Sequence, residues 1–114
     1  MKNSSSEEPP TEIRLANDYM AFRPLWGEYG GLHDDNFVPA DIDAQLKKWA
    51  DTFEDYYDVE SGWQNIEICQ RQYAEGQRLA KVVQEHFGTG AVVSLDFWEL
   101  RVSGKTLTLK DLEF

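Results

Sequence analysis

Few residues in this 114-residue chain are of the types that carry chemistry in enzymes, since it has only two histidines and one cysteine. His33 is followed by Asp34 and Asp35, a pair found in divalent-metal sites, but no second histidine lies nearby to complete a ligand set. The acid spacing of an EF-hand is absent, as are the nucleophile-elbow, Walker and dinucleotide-binding motifs. We therefore predict a protein that is not an enzyme and that uses no metal and no cofactor.

Acidic residues are concentrated in one part of the chain. The sequence has 21 Asp and Glu against 11 Lys and Arg, for a net charge of −10. The segment from Glu28 to Glu60 has ten acids and two lysines, a net charge of −8, which leaves −2 for the rest of the chain. Such a segment repels nucleic acid phosphates and anionic membranes and attracts basic proteins. We expect a basic protein partner, with no direct binding to nucleic acid or membrane.

Many of these acids fall on a predicted helix that begins at Pro39 and ends near Asp58. Its core-facing stripe recurs every three or four positions and comprises Ile42, Leu46, Trp49, Phe53 and Tyr56. The acids lie off that stripe, where the like-charged pairs Asp51–Asp55 and Glu54–Asp58 each cost the helix ~0.2–0.5 kcal/mol. The pattern therefore favours a docking surface, whose candidate partner-binding residues are Asp34, Asp35, Asp51, Glu54, Asp55, Tyr57, Asp58, Glu60 and Trp63.

Three other interpretations of the sequence stay open. A run of acids on a helix is often a solvated face that keeps a protein soluble. A cytoplasmic adaptor or regulatory domain would rely instead on Trp26, Tyr29 and Trp63, and its binding would survive high salt. A small enzyme would need carboxylates that converge in a pocket with perturbed pKa values.

The remaining segments indicate one domain. Residues 1–11 are polar and read as a flexible tail, and residues 12–114 as a single folded unit. The pattern predicts a strand over Ile13–Phe22, a structured loop over Arg23–Phe37 and a second helix from Asn65 to Phe87. Gly76 lies on the apolar stripe of that helix, where the missing side chain would let another element approach closely.

A hairpin is expected at the end of the chain. Apolar residues change phase near Phe97–Trp98, which predicts a bulge there, and Ser103-Gly104 is suited to a two-residue turn. This turn would pair Val102 with Lys105, Arg101 with Thr106, Glu99 with Thr108 and Trp98 with Leu109. The predicted fold is α+β in two layers: a mainly antiparallel three-stranded sheet packed against a two-helix hairpin, in the order β-α-α-β-β. The strand after the second helix is expected to run opposite to the first.

The chain is expected to act in the cytoplasm. No apolar signal region is visible at Met1–Pro10, and no stretch approaches the ~20 apolar residues that span a bilayer. The single cysteine, Cys69, excludes an internal disulfide and is consistent with a reducing compartment.

Several short motifs resemble a family of small bacterial proteins. They include Asp18-Tyr19-Met20, Pro24-Leu25-Trp26, Gly62-Trp63 and Gly76 with Leu79-Ala80. This resemblance implies no particular site residue, because the motifs are structural in character.

In kind, a small acidic domain without catalytic motifs is similar to the immunity proteins that neutralise polymorphic toxins, including those of contact-dependent growth inhibition. That resemblance implies an immunity or antitoxin-like inhibitor of a basic toxin domain, and such toxins are often nucleases. The oligomeric state does not follow from the sequence.

Overall fold

The computed structural model describes residues 11–19, 23–28, 30–32 and 38–112 of the chain. Most of the predicted tail, together with His33, Asp34, Asp35 and Tyr29, lies outside these residues. Short 3-10 turns follow the second helix at Gly88–Gly90 and close the described chain at Leu109–Leu112. The helices and strands in chain order are β1 Glu12–Leu15, β2 Leu25–Gly27, β3 Gly30–Gly31, α1 Ala40–Tyr56, α2 Ile66–Phe87, β4 Val92–Leu95, β5 Arg101–Val102 and β6 Lys105–Thr106.

The main sheet has four strands in the order β3-β2-β1-β4, and β1 and β4 are parallel. The α+β class is confirmed, but the expectations of three strands and of opposite directions for the strands that flank the helices are wrong. The segment predicted as a loop supplies β2 and β3, which pair antiparallel with each other, and β2 pairs antiparallel with β1. Helix α1 begins near the carboxyl end of β1, where Arg23 donates a hydrogen bond to Asp43. Helix α2 then returns the chain, so that Val92 at the start of β4 pairs with Glu12 at the start of β1.

Helix α2 packs against β4 of this sheet, and helix α1 packs against α2. Ile13 and Leu15 of β1 are buried in one core with residues of both helices, whereas Glu12 and Arg14 are exposed. Gly76 of α2 faces the core, and a Cβ atom at this position would lie 2.9 Å from Cζ2 of Trp49. The close packing predicted at Gly76 is therefore confirmed.

Both predicted helices are present with nearly the expected bounds. The side chain of Asn65 caps α2 by accepting the backbone N–H of Ile68 at 3.0 Å. Gly88 ends the same helix with a φ of 68°, a conformation that favours glycine. Neither helix among the described residues is long and apolar enough to cross a membrane.

The carboxyl-terminal hairpin forms a small sheet of its own. Arg101 pairs with Thr106 and Val102 with Lys105, as predicted, around a turn at residues 103 and 104. The further pairs Glu99–Thr108 and Trp98–Leu109 are wrong, because the chain bends into a 3-10 turn at Leu109. The change of phase predicted near Phe97–Trp98 does not occur. The alternation of exposed and less exposed side chains in β4 continues into the next segment, where Phe97 and Glu99 are both buried.

A buried ion pair joins the start of α1 to the segment before β2. The side chain of Arg23 is fully buried, with Nε 2.8 Å from Oδ1 of Asp43 and Nη1 2.8 Å from the carbonyl oxygen of Leu32. Lys47 contacts the other oxygen of Asp43 at 3.3 Å. The hydrogen bond from Arg23 lowers the pKa of Asp43. Asp43 therefore belongs to the interior, although it falls in the acidic segment of the sequence.

Replacing Asp43 by asparagine tests this ion pair. Asp43→Asn removes the charge that offsets the buried guanidinium of Arg23, so we expect the free energy of unfolding to fall by about 2 kcal/mol. Asp41→Asn is the matched control, because Asp41 is an exposed acid in the same first helical turn, and we expect a change below about 1 kcal/mol. Equal losses for the two variants in urea unfolding would contradict the role of Asp43.

Candidate partner-binding surface

Apart from Asp34 and Asp35, which lie outside the described residues, the acids proposed from the sequence lie together at the carboxyl-terminal half of α1 and in the turn that follows it. We call Asp51, Glu54, Asp55, Asp58 and Glu60 the acidic face, and all five are exposed. The carboxylates of Asp51 and Asp55 have no hydrogen bond or ion pair with any described residue. Negative charge is therefore presented to solvent one helical turn apart, without internal compensation at those two positions.

Asp58 differs from the other acids because its carboxylate holds the turn after α1. Oδ2 of Asp58 accepts the backbone N–H groups of Glu60 and Ser61, both at 2.9 Å. These bonds from Ser61 and Glu60 lower the pKa of Asp58. The turn closes with two backbone hydrogen bonds between Asp58 and Gly62. Asp58 is thus a structural residue of the turn that presents Val59 and Glu60 to solvent.

Gly62 fixes this turn against the hairpin. Its φ is 80°, and a Cβ atom there would overlap the backbone carbonyl of Arg101. The guanidinium of Arg101 reaches back across the contact and donates to the carbonyl oxygen of Glu60 at 2.8 Å. The position of Val59 and Glu60 is therefore set by the hairpin as well as by α1.

Five aromatic rings pack beneath the acidic face. The cluster comprises Tyr19, Phe53, Tyr57, Trp63 and Trp98, with the ring centroids of neighbours 4.9 to 6.2 Å apart. Phe53 and Trp63 are buried, and the indole N–H of Trp63 donates to the carbonyl oxygen of Glu99 at 2.9 Å. Trp63 therefore offers no surface to a partner in this conformation, and Tyr57 is half-buried.

The outer edge of the cluster forms a cleft that the sequence did not reveal. Tyr19, Tyr57, Val59 and Trp98 line it together with the hairpin, and its volume is about 330 Å³. The exposed fractions of Tyr19 and Trp98 are 42% and 38%, and that of Val59 is 72%. We call the cleft lined by Tyr19, Tyr57, Val59 and Trp98 the aromatic cleft. Sequence periodicity gave no signal for it, because Tyr19 and Trp98 were both assigned to strands.

The acidic face and the aromatic cleft share one electrostatic environment. The pKa of Tyr19 is raised by its burial and next by the negative charges of Glu54 and Asp58, with smaller contributions from Glu99 and Asp18. Four carboxylates thus act on a single hydroxyl group at the mouth of the cleft. Among the described residues that line the cleft, Arg101 is the one cation, and its guanidinium is held on the turn after α1.

Glu99 lies behind the cleft and is completely buried. Its Oε2 accepts from Nδ2 of Asn17 at 2.8 Å, and its Oε1 accepts the backbone N–H of Trp98 at 3.0 Å. Burial raises the pKa of Glu99 to about 7. Oδ1 of Asn17 is buried without a partner among the described residues, and it is an acceptor of the kind that a protonated Glu99 needs. A group sealed in this way acts on stability, since no solute reaches it.

Of the residues on which the adaptor interpretation depends, Tyr29 lies outside the described residues and Trp63 is buried. Trp26 is half-buried and its indole N–H donates to the carbonyl oxygen of Ala16 at 2.9 Å. A groove of about 470 Å³ between the helices is lined by side chains of mixed character, including Tyr56, Arg71 and Glu75. No group of three or more His, Cys, Asp or Glu within the described ranges could hold a metal ion.

Comparison with known proteins identifies the family. The model of the Serratia CdiI immunity protein-like family matches residues 11–96, which is most of the chain. No curated protein matches the chain significantly. The chain belongs to the Serratia CdiI immunity protein-like family, so the resemblance to immunity proteins of contact-dependent growth inhibition is confirmed. Membership in an immunity family implies a toxin as the partner.

The buried carboxyl group of Glu99 predicts a distinctive pH dependence of stability. A glutamate in the unfolded chain titrates near pH ~4.3, so the native state holds more protons up to about pH 7. The free energy of unfolding should therefore fall as the pH rises from about 4.3 to 7, by about 4 kcal/mol at most, and then level off. The carboxyl groups whose pKa is lowered, such as Asp43 and Asp58, act below this window.

Urea unfolding from pH 5 to 8 measures this effect. Glu99→Gln removes the titrating group and should abolish the fall, whereas Glu85→Gln, at an exposed position on α2, should keep it. A fall of the same size in Glu99→Gln would assign the pH dependence to another group.

Proposed function

We propose that this chain is an immunity protein that binds a basic toxin domain and neutralises it through the acidic face. The observation that carries the proposal is the pair Asp51 and Asp55, two exposed carboxylates on one line of α1 with no partner among the described residues. Their mutual repulsion costs the free helix ~0.2–0.5 kcal/mol, and a basic partner would relieve it. A complementary charge also speeds association.

The basic toxin is proposed to be a nuclease. A nuclease needs a positive surface to bind phosphates, and an immunity protein with a dense negative face can occupy that surface. The spacing of the acids along α1 gives several carboxylates within reach of one such surface. Substrate would then be excluded by direct competition for the same cations.

The cytoplasm is the proposed place of action. Cys69 is buried, and burial raises the pKa of its thiol to about 11, so it stays a protonated and inert thiol. Such a thiol serves packing in a reducing compartment and has no role in a disulfide of this chain.

The experiment is a binding measurement with the toxin domain encoded beside this gene. Asp51→Asn/Asp55→Asn changes the net charge by two without touching any contact within the described structure. We expect the affinity at low salt to fall at least about tenfold, mainly through slower association, and the salt dependence of the wild type to weaken.

The matched control is Glu12→Gln/Glu85→Gln, which makes the same charge change at exposed positions on β1 and on the carboxyl-terminal part of α2. This control should lose less than about threefold in affinity, because only the overall charge is altered. Equal losses for the two double variants would show that net charge matters and that the acidic face does not. An undetectable complex with the wild-type chain would contradict the proposed function itself.

A further inference from the structure

The aromatic cleft has features that charge alone does not explain. Val59, at its rim, is among the most exposed large apolar side chains described, and Trp98 and Tyr19 are each exposed by more than a third. Exposed apolar groups brought together from three distant segments are typical of interaction sites. Their positions are fixed, because Asp58 and Gly62 shape the turn that carries Val59.

The rings of the cleft are held rigidly, which favours binding. The indole N–H of Trp98 donates to the carbonyl oxygen of Asn17 at 2.7 Å, and the ring meets Phe53 and Tyr57 edge-on at 5.4 and 5.7 Å. A side chain that is already ordered loses little conformational entropy when a partner contacts it. Trp and Tyr in such settings are the residues that contribute most to interface affinity.

The charge around the cleft selects the chemistry of the occupant. Three carboxylates, those of Glu54, Asp58 and Asp18, act on the hydroxyl group of Tyr19, whereas Arg101 is the one cation among the described lining residues, so negative charge predominates. Carboxylates around aromatic rings suit a side chain with an apolar stem and a planar cation at its end. An arginine guanidinium stacks on rings and donates hydrogen bonds to both oxygens of a carboxylate at once, which a lysine ammonium does not do.

We propose that the toxin inserts an arginine side chain into the aromatic cleft, against Trp98, Tyr19 and Val59, as the anchor of the complex. The acidic face would steer the toxin toward the chain, and the cleft would hold it. This proposal rests on the proposed function for the identity of the partner. It adds that affinity resides in the cleft, beside the α1 carboxylates, and that its loss is felt as faster dissociation.

The first test uses two exposed valines and the same toxin domain. Val59→Lys places a positive charge at the rim of the cleft, whereas Val92→Lys places one on β4, at a position exposed by 69% against 72% for Val59. We expect Val59→Lys to weaken the complex by at least about tenfold, mostly through faster dissociation, and Val92→Lys to change it less than about twofold. Thermal unfolding of both variants verifies that each is folded.

The second test needs no toxin and uses tetra-arginine amide, with tetra-citrulline amide as its neutral counterpart. The indole N–H signals in nuclear magnetic resonance spectra report on Trp98 in the cleft and on Trp26 of β2, whose indole N–H donates to the carbonyl oxygen of Ala16. Tetra-arginine should shift the Trp98 signal and leave Trp26 unmoved, and Val59→Lys should reduce the shift. Tetra-citrulline should shift neither signal.

Two results would overturn the cleft proposal while leaving the proposed function intact. One is a wild-type toxin complex that Val59→Lys and Val92→Lys weaken equally. The other is tetra-arginine binding that moves only the amide signals of Asp51 and Asp55, with Trp98 unchanged. Absence of a toxin complex in the presence of a tetra-arginine effect at Trp98 would overturn the proposed function and keep the cation specificity of the cleft.

Discussion

Four parts of the chain meet at Glu99, and the arrangement of the rest depends on that junction. Its carboxylate accepts the side chain of Asn17, which follows β1, while its carbonyl oxygen accepts the indole of Trp63, from the segment between the helices, at 2.9 Å. The thiol of Cys69 on α2 approaches the same carbonyl oxygen at 3.7 Å. The segment after β4 is thereby fixed to the segment after β1, to the segment between the helices and to α2. The cost is a buried carboxyl group, which the fold tolerates by holding its proton more tightly.

The candidate surface is a consequence of this junction. With Glu99 turned inward, its neighbour Trp98 faces outward beside Tyr57 and Tyr19, and the hairpin that follows supports the turn holding Val59. Glu54 of α1 and Asp58 of the turn after it then lie close enough to the cleft to act on the hydroxyl group of Tyr19. Glu99 thus serves stability and its neighbour Trp98 is available for binding, since successive side chains in an extended chain point in opposite directions.

Local features of the sequence predicted more than the long-range ones did. The bounds of both helices, the Asn65 cap and the packing at Gly76 follow from periodicity and capping rules, which involve neighbouring residues. The parallel pairing of β1 with β4 joins residues about eighty positions apart, and no local pattern specifies it. The negative charge predicted a basic protein partner. Family membership supports a toxin as the partner, and the basic character of that toxin stays a prediction. The sequence did not predict the burial of Trp63, because the carbonyl oxygen that accepts its indole N–H belongs to a residue 36 positions away.

Hydrogen–deuterium exchange of the full chain, measured with and without the toxin domain, shows whether the toxin binds at the end of α1. We expect slower exchange in residues 51–62 and around Trp98 in the complex, with the amides of β2 and of the last turns of α2 unchanged. Protection confined to β2 and β3, or to residues 77–87, with residues 51–62 unaltered, would place the toxin on another surface.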